Sequence, residues 1–251
     1  MNDPAIKDLL YRIADDLLII GHRNSEWTGI GPVLEEDIAF SSMAQDQIGQ
    51  SLALYNLLHE LGESDPDTLG FMRNADAFRN CIFTELPNGE YDFSLVRHFL
   101  FDTAMMVRFE SLCLSRWKPL ADLAVKVQAE LVYHLLHANT LITKLGTGTP
   151  ESISRLQRSI DYGLPYALGI FEATEYDDEI GRRQLCDFES VLQLRWQHRV
   201  EEIIGRTALV LPPWTSLLPV CGGRSGIHSE HMQPLIEEMT EVFRSDVDQE
   251  W

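Results

Sequence analysis

Three side chains of the 251-residue sequence are of the types that hold paired metal ions: Glu26 in NSEWTG, Asp102 in FLFDTA and His134 in AELVYHLL. A di-metal helix bundle takes one carboxylate from each of two helices and Glu-x-x-His from each of the other two. The i, i+3 spacing sets carboxylate and imidazole on one helix face, so both reach the same ion pair. Anionic oxygen donors offset the metal charge, and imidazole adds a directional nitrogen. The stretch AQDQIGQ, Ala44 to Gln50, has that spacing with amides in both ligand places, Gln47 and Gln50. The fourth helix offers Leu131 with His134. Two carboxylates and one histidine therefore remain of the usual four and two. Leucine cannot ligate a metal, and glutamine brings no charge to one. Glu130 cannot stand in for Leu131, because one residue along a helix is about 100° round its axis. His134 and His137 are i, i+3 neighbours, but no third ligand for a mononuclear site is apparent.

Each residue also has a plainer role. Glu26 would be a helix-end carboxylate beside a Gly turn, and His134 a satisfied core histidine. Asp102 is the most informative, because VRHFLFDTAMM is otherwise apolar and a buried carboxylate is costly unless paired or hydrogen-bonded. Without metal, Glu26 and Asp102 would be like charges in a dry centre. Protonation, a charged His134 or amide donors from Gln47 and Gln50 would then have to satisfy them.

The elements that must position these residues read as helices. Asp3-Pro4 is an N-cap followed by proline in the first turn, and Ile6, Leu9, Leu10, Ile13, Leu17 and Ile20 continue at helical spacing. An all-α fold is expected, a ferritin-like bundle in a single domain over 1–251. Its four core helices are expected at about 4–27, 34–61, 93–117 and 119–145, and further helices at about 150–174, 181–207 and 229–244. Residues 63–92 read as loop with one or two short helices. In GGRSGIHSEH, Ser229 or His228 suits an N-cap, and Arg224 could meet a phosphate or an acidic partner.

Composition narrows the function. Net charge is −19, with 39 acidic against 20 basic residues, which argues against nucleic acid or an anionic membrane as partner. No run is apolar for long enough to span a bilayer, and the N-terminus lacks the pattern of a secretory signal. Cys81, Cys113, Cys186 and Cys221 have no C-x-x-C spacing, so reduced, mostly buried thiols and a cytoplasmic location are expected. There is no P-loop, no G-x-G-x-x-G and no nucleophile motif.

Several stretches together resemble a known family. EWTG with LEED, QDQIGQ, PDTLGFMRN, ELPNGEYD, RHFLFD, YHLLHANTLITKLGTGT and GGRSGIHSEHMQPLIEEM are similar to the C-subunit family of the phenylacetyl-CoA 1,2-epoxidases. These are multicomponent monooxygenases of phenylacetate breakdown. The resemblance implies a ferritin-like fold and a non-catalytic structural role. It implies a catalytic A subunit that keeps the full di-iron set, and a separate reductase carrying flavin and iron–sulfur and using NADPH. No cofactor is then expected in this chain. The A subunit is the expected partner, with a homodimer and the small B subunit as further ones. Glu26, Asp102 and His134 match ligand positions of the catalytic relative, while Gln47, Gln50 and Leu131 depart from them. The alternative is a self-sufficient ferritin-like oxidase or oxygenase with altered ligands.

Overall fold

A computed structural model describes residues 3–245; residues 1–2 and 246–251 of the expected 1–251 domain lie outside the described residues. Every regular element among the described residues is helical. The chain resolves into two compact units, one of residues 1–87 with 222–251 and one of residues 88–221.

The first unit holds α1 (Pro4–Ser25), α2 (Leu34–Glu60), the short α3 (Ile82–Glu85) and α9 (Met232–Ser245). Asp3 caps α1 by accepting from Ile6 N at 3.2 Å, as the Asp-Pro start predicts. Nearly every residue of α1 from Leu9 to Asn24 is buried, whereas α2 buries one face only. The two helices cross closely at Gly21, where a Cβ would stand 2.9 Å from Ile48 Cγ1 and 3.3 Å from the Ala44 carbonyl oxygen. The turn between them is tied by Asp37, whose carboxylate accepts from Gly29 N at 2.8 Å. Short π and 3-10 turns at Thr68–Met72 and Ala75–Ala77 follow α2, in keeping with the loop expected there. α9 rests on the first of these turns through stacked Phe71 and Phe243 rings, 5.2 Å between centroids.

Two adjacent buried aspartates on α1 hold the loops of this unit. Asp15 pairs with Arg73 at 2.5 Å and also accepts from Tyr55 Oη at 2.6 Å and Arg79 N at 2.7 Å. Burial, with the Asp15 carboxylate beside it, pushes the Tyr55 hydroxyl well up, so it stays a donor. Asp16 takes Arg224 in a two-pronged pair at 2.8 and 2.9 Å and accepts from Cys81 N at 2.7 Å. Arg224 is thus buried and committed to Asp16, not available to the outside phosphate or acidic partner that its loop suggested. The rest of that loop is pinned by buried Glu85, which meets His228 Nδ1 at 2.6 Å, Ser229 N at 2.8 Å and Ser229 Oγ at 2.6 Å. With Ser229 engaged there, α9 starts at Met232, three residues later than its expected 229.

The second unit holds α4 (Tyr91–Leu112), α5 (Lys118–Gly146), α6 (Pro150–Leu168), α7 (Asp177–Arg182) and α8 (Glu189–Ile204). α4 is its centre, packed by α5, α6 and α8 and buried on nearly every side. It ends at Leu112, short of the expected 117, because Trp117 already leads in extended backbone into the proline-led α5 and Arg116 N donates to Gln184 O at 3.0 Å. Thr149 caps α6, accepting from Ser152 N at 3.2 Å. α6 stops at Leu168, not 174: a Cβ on Gly169 would stand 2.1 Å from the Val220 carbonyl oxygen, so the backbone there is already in contact. The helix expected over 181–207 is α8 preceded by the separate turn α7, and Gln184, with φ +57°, breaks the run between them. Arg108 and Glu189 form a buried bidentate pair at 2.6 and 2.7 Å, and Trp196 Nε1 donates to Leu100 O at 2.9 Å.

No helix among the described residues is long and apolar enough to cross a membrane. Cys81 and Cys186 are buried, Cys113 is half-buried and Cys221 is exposed, so burial extends to fewer thiols than expected. Burial, then the neighbouring Asp16 carboxylate, pushes the Cys81 thiol well up and keeps it protonated.

Candidate functional site

In the first unit, α1 and α2 present neutral amides. Gln47 and Gln50 sit on the buried face of α2, Gln47 beside the Gly21 crossing. Asn24 Nδ2 donates to Gln47 Oε1 at 2.8 Å. Gln47 Nε2 and Asn24 Oδ1 are buried with no hydrogen-bond partner among the described residues. Glu26 lies just past the end of α1, half-buried, with Oε1 2.7 Å from Arg23 Nη1. Arg23 also donates through Nε and Nη2 to the Glu85 carbonyl, at 3.1 and 2.7 Å. The Glu26 charge is therefore met by a guanidinium from its own helix, its i, i+3 neighbour.

In the second unit, α4 and α5 present charge. Asp102 is fully buried, with Oδ2 2.7 Å from His98 Nδ1 and 3.4 Å from His134 Nδ1. Burial works against a charged carboxylate here. The field of His98 and hydrogen bonds from His134 and His98 outweigh it and hold Asp102 well below the usual carboxylate range. The His137 ring lies 5.4 Å from that of His98 and the His134 ring 6.1 Å. Leu131 is buried one turn before His134 on the same face of α5 and brings only hydrocarbon. Among the described residues no group of three or more His, Cys, Asp or Glu side chains is arranged to hold a metal ion.

Asp102 and His134 are thus brought together, as are Gln47 and an amide, Asn24, that lies outside the motif. His98 is the main residue the motif misses. Its signal was available, since His98 and Asp102 are i, i+4 on one helix. Asp15 and Asp16 were legible as two carboxylates in the apolar run IADDLLII, but nothing local names their partners Arg73 and Arg224.

Comparison with known proteins gives this geometry its context. The model of the phenylacetic acid catabolic protein family matches residues 1–251. The chain belongs to the phenylacetic acid catabolic protein family. It is 30% identical over 241 residues to the C subunit of the 1,2-phenylacetyl-CoA epoxidase of Escherichia coli (strain K12), covering 96% of each chain. The all-α helical build agrees with the ferritin-like fold of that family.

Proposed function

We propose that this chain is a non-catalytic structural subunit of a phenylacetyl-CoA 1,2-epoxidase, supporting a separate catalytic subunit that carries the di-iron centre. The observation that carries the reading is the donor chemistry. At the six ligand positions stand two amides, a buried leucine, one carboxylate already paired with Arg23, and only Asp102 with His134 as juxtaposed donors of the right types. Two neutral amides and a hydrocarbon leave the charge of two iron ions without the anionic oxygens that offset it. The donor set does not fit a di-iron centre, and no oxygen chemistry is derived through this chain. Reduction through NADPH, flavin and iron–sulfur belongs in this reading to a partner reductase, and the place of work is the cytoplasm. A homodimer and a small B subunit are the further partners it allows.

The buried polar residues then have a structural task. Asn24 with Gln47 fills the centre of one unit, and Asp102 with His98 and His134 fills that of the other. Hydrogen-bonded polar cores of this kind restrict which packing a bundle adopts.

The second reading, a self-sufficient oxidase, draws on one observation: a carboxylate and imidazoles still stand together on α4 and α5. Purification separates the two. The tagged chain is co-expressed with the catalytic subunit, and co-elution, iron per chain and oxygen uptake of the isolated chain are measured. The structural reading expects co-elution, with iron tracking the partner. Iron on the isolated chain together with oxygen uptake would overturn it.

A further inference from the structure

Asn88, in LPNGEYD, is the one asparagine of the sequence that precedes a glycine. The pair matters chemically, because the backbone nitrogen of the following residue can attack an asparagine side-chain amide. A following residue with a Cβ shields its own nitrogen and resists the bent backbone that the attack requires; glycine does neither. The structure leaves that nitrogen available. Asn88 and Gly89 lie in the non-helical stretch just before α4, and Gly89 is exposed with φ +57°. The Gly89 N–H has no hydrogen-bond partner among the described residues.

The carbon under attack is held as well. Arg97, fully buried on α4 and lying over the Phe93 ring at 5.6 Å, donates through Nη2 to Asn88 Oδ1. A cation donating to that oxygen draws electrons from Cγ and stabilises the negative charge that develops when a nucleophile adds there. The main-chain carbonyl of Asn88 also accepts a hydrogen bond, from Ser94 Oγ at 3.0 Å, but that donor is a neutral hydroxyl. Hydrogen bonds from charged donors are about twice as strong as neutral ones, so Cγ is the more activated of the two carbonyl carbons.

We propose that Asn88 is a self-modification site, which the fold converts to aspartate. Solvent hydroxide takes the Gly89 N–H proton, and the nitrogen attacks Asn88 Cγ. The N–Cγ bond forms and the Cγ–Nδ2 bond breaks, with Nδ2 leaving as ammonia after taking a proton from water. Water then opens the five-membered imide. Addition at Cγ breaks the new N–Cγ bond and gives aspartate. Addition at the main-chain carbon breaks the original peptide bond to Gly89 and gives isoaspartate. The net change is one water in and one ammonia out, with no other reactant. In an unfolded chain the main-chain carbon is the more electrophilic, because the nitrogen on the neighbouring Cα withdraws electrons from it, and isoaspartate dominates. In the folded chain Arg97 polarises the Cγ carbonyl, so water adds at Cγ. The new carboxylate faces the Arg97 guanidinium and stands two residues before Glu90, the N-cap of α4, where an anion is favoured by the helix dipole.

The experiment incubates the purified full-length chain, native and in urea, at mildly alkaline pH. Each asparagine-containing peptide is followed by mass, and isoaspartate is counted with an isoaspartyl methyltransferase. Native Asn88 should gain about one dalton, water for ammonia, and do so about ten-fold faster than Asn74, which is exposed but precedes alanine. Its product should be mainly aspartate in the native chain and mainly isoaspartate in urea. Ser94→Ala removes the competing donor, leaves Arg97 in place and should raise the aspartate share further. Asn88→Asp should raise the Tm by about 2 °C, through the charged pair with Arg97. A native Asn88 that keeps its amide as long as Asn74 does overturns the site. A native product as rich in isoaspartate as the product in urea overturns the part given to Arg97, and a lowered Tm for Asn88→Asp shows that the fold does not accept the aspartate.

Discussion

The two units solve the same problem, a polar centre inside a helical core, with different chemistry. In the first, fixed charge sits off to one side: Asp15 and Asp16 meet Arg73 and Arg224, and the motif position carries an amide pair, Gln47 with Asn24. In the second, charge stands at the motif position itself, as Asp102 between His98 and His134. The partners differ in one decisive property. A guanidinium cannot lose its proton in a protein, whereas an imidazole can. Stripping the carboxylate from Arg224 leaves a buried cation with no escape. Stripping it from His98 and His134 leaves imidazoles, a group that need carry no charge.

The largest effect should therefore come from the first unit. Asp16→Ala strands Arg224 and should lower stability by about 3–5 kcal/mol, read from urea unfolding. Asp102→Asn keeps the shape and still offers both histidines a hydrogen-bonding amide, so its loss should be about 1–3 kcal/mol. Equal losses for the two would break the comparison.

The acid limb of stability sharpens it. Asp102 in the folded chain titrates below the usual carboxylate range, so the unfolded chain takes up the proton first as pH falls. Its contribution is whole above about pH 4, the ordinary aspartate value, and is lost progressively below it. Wild type should lose stability over that window more steeply than Asp102→Asn, followed by thermal unfolding at successive pH values; parallel profiles would show that Asp102 is not held down by its histidines. The smallest effect belongs to the neutral pair. Gln47→Leu removes the acceptor of the Asn24 amide and should lower stability by about 1 kcal/mol, with no change in the acid limb.

The same contrast appears in whole helices. α4 and α2 both carry motif positions, but α4 is enclosed on nearly every side while α2 leaves Leu34, Ile38, Leu52, Glu35 and Glu60 exposed. In the sequence α4 reads as FSLVRHFLFDTAMMVRF, apolar all round, which is the pattern of an enclosed helix. α2 mixes apolar residues with polar and acidic ones along its length, the pattern of a helix with one covered face. Periodicity could not say that part of its apolar content stays outside, because a second apolar stripe looks the same whether a neighbour covers it or not.

Local chemistry made much of the fold legible. Caps, prolines and helical spacing placed the starts of α1, α2 and α6, since those signals act within one turn of the chain. Helix ends decided by contact were misjudged: α6 stops where Gly169 meets Val220 O, and α9 starts only at Met232 because Glu85 holds Ser229. The site divides in the same way. Residue type alone disqualified Leu131 as a ligand and made Asp102 conspicuous, because neither property depends on neighbours distant in sequence. Glu26 takes Arg23, an i, i+3 neighbour that the sequence already offered, but that Gln47 is met by Asn24 and Arg224 by Asp16 was decided by tertiary structure. A buried charge or amide takes whichever partner the packing brings within about 3 Å, and for Asp16 that partner lies 208 positions along the chain.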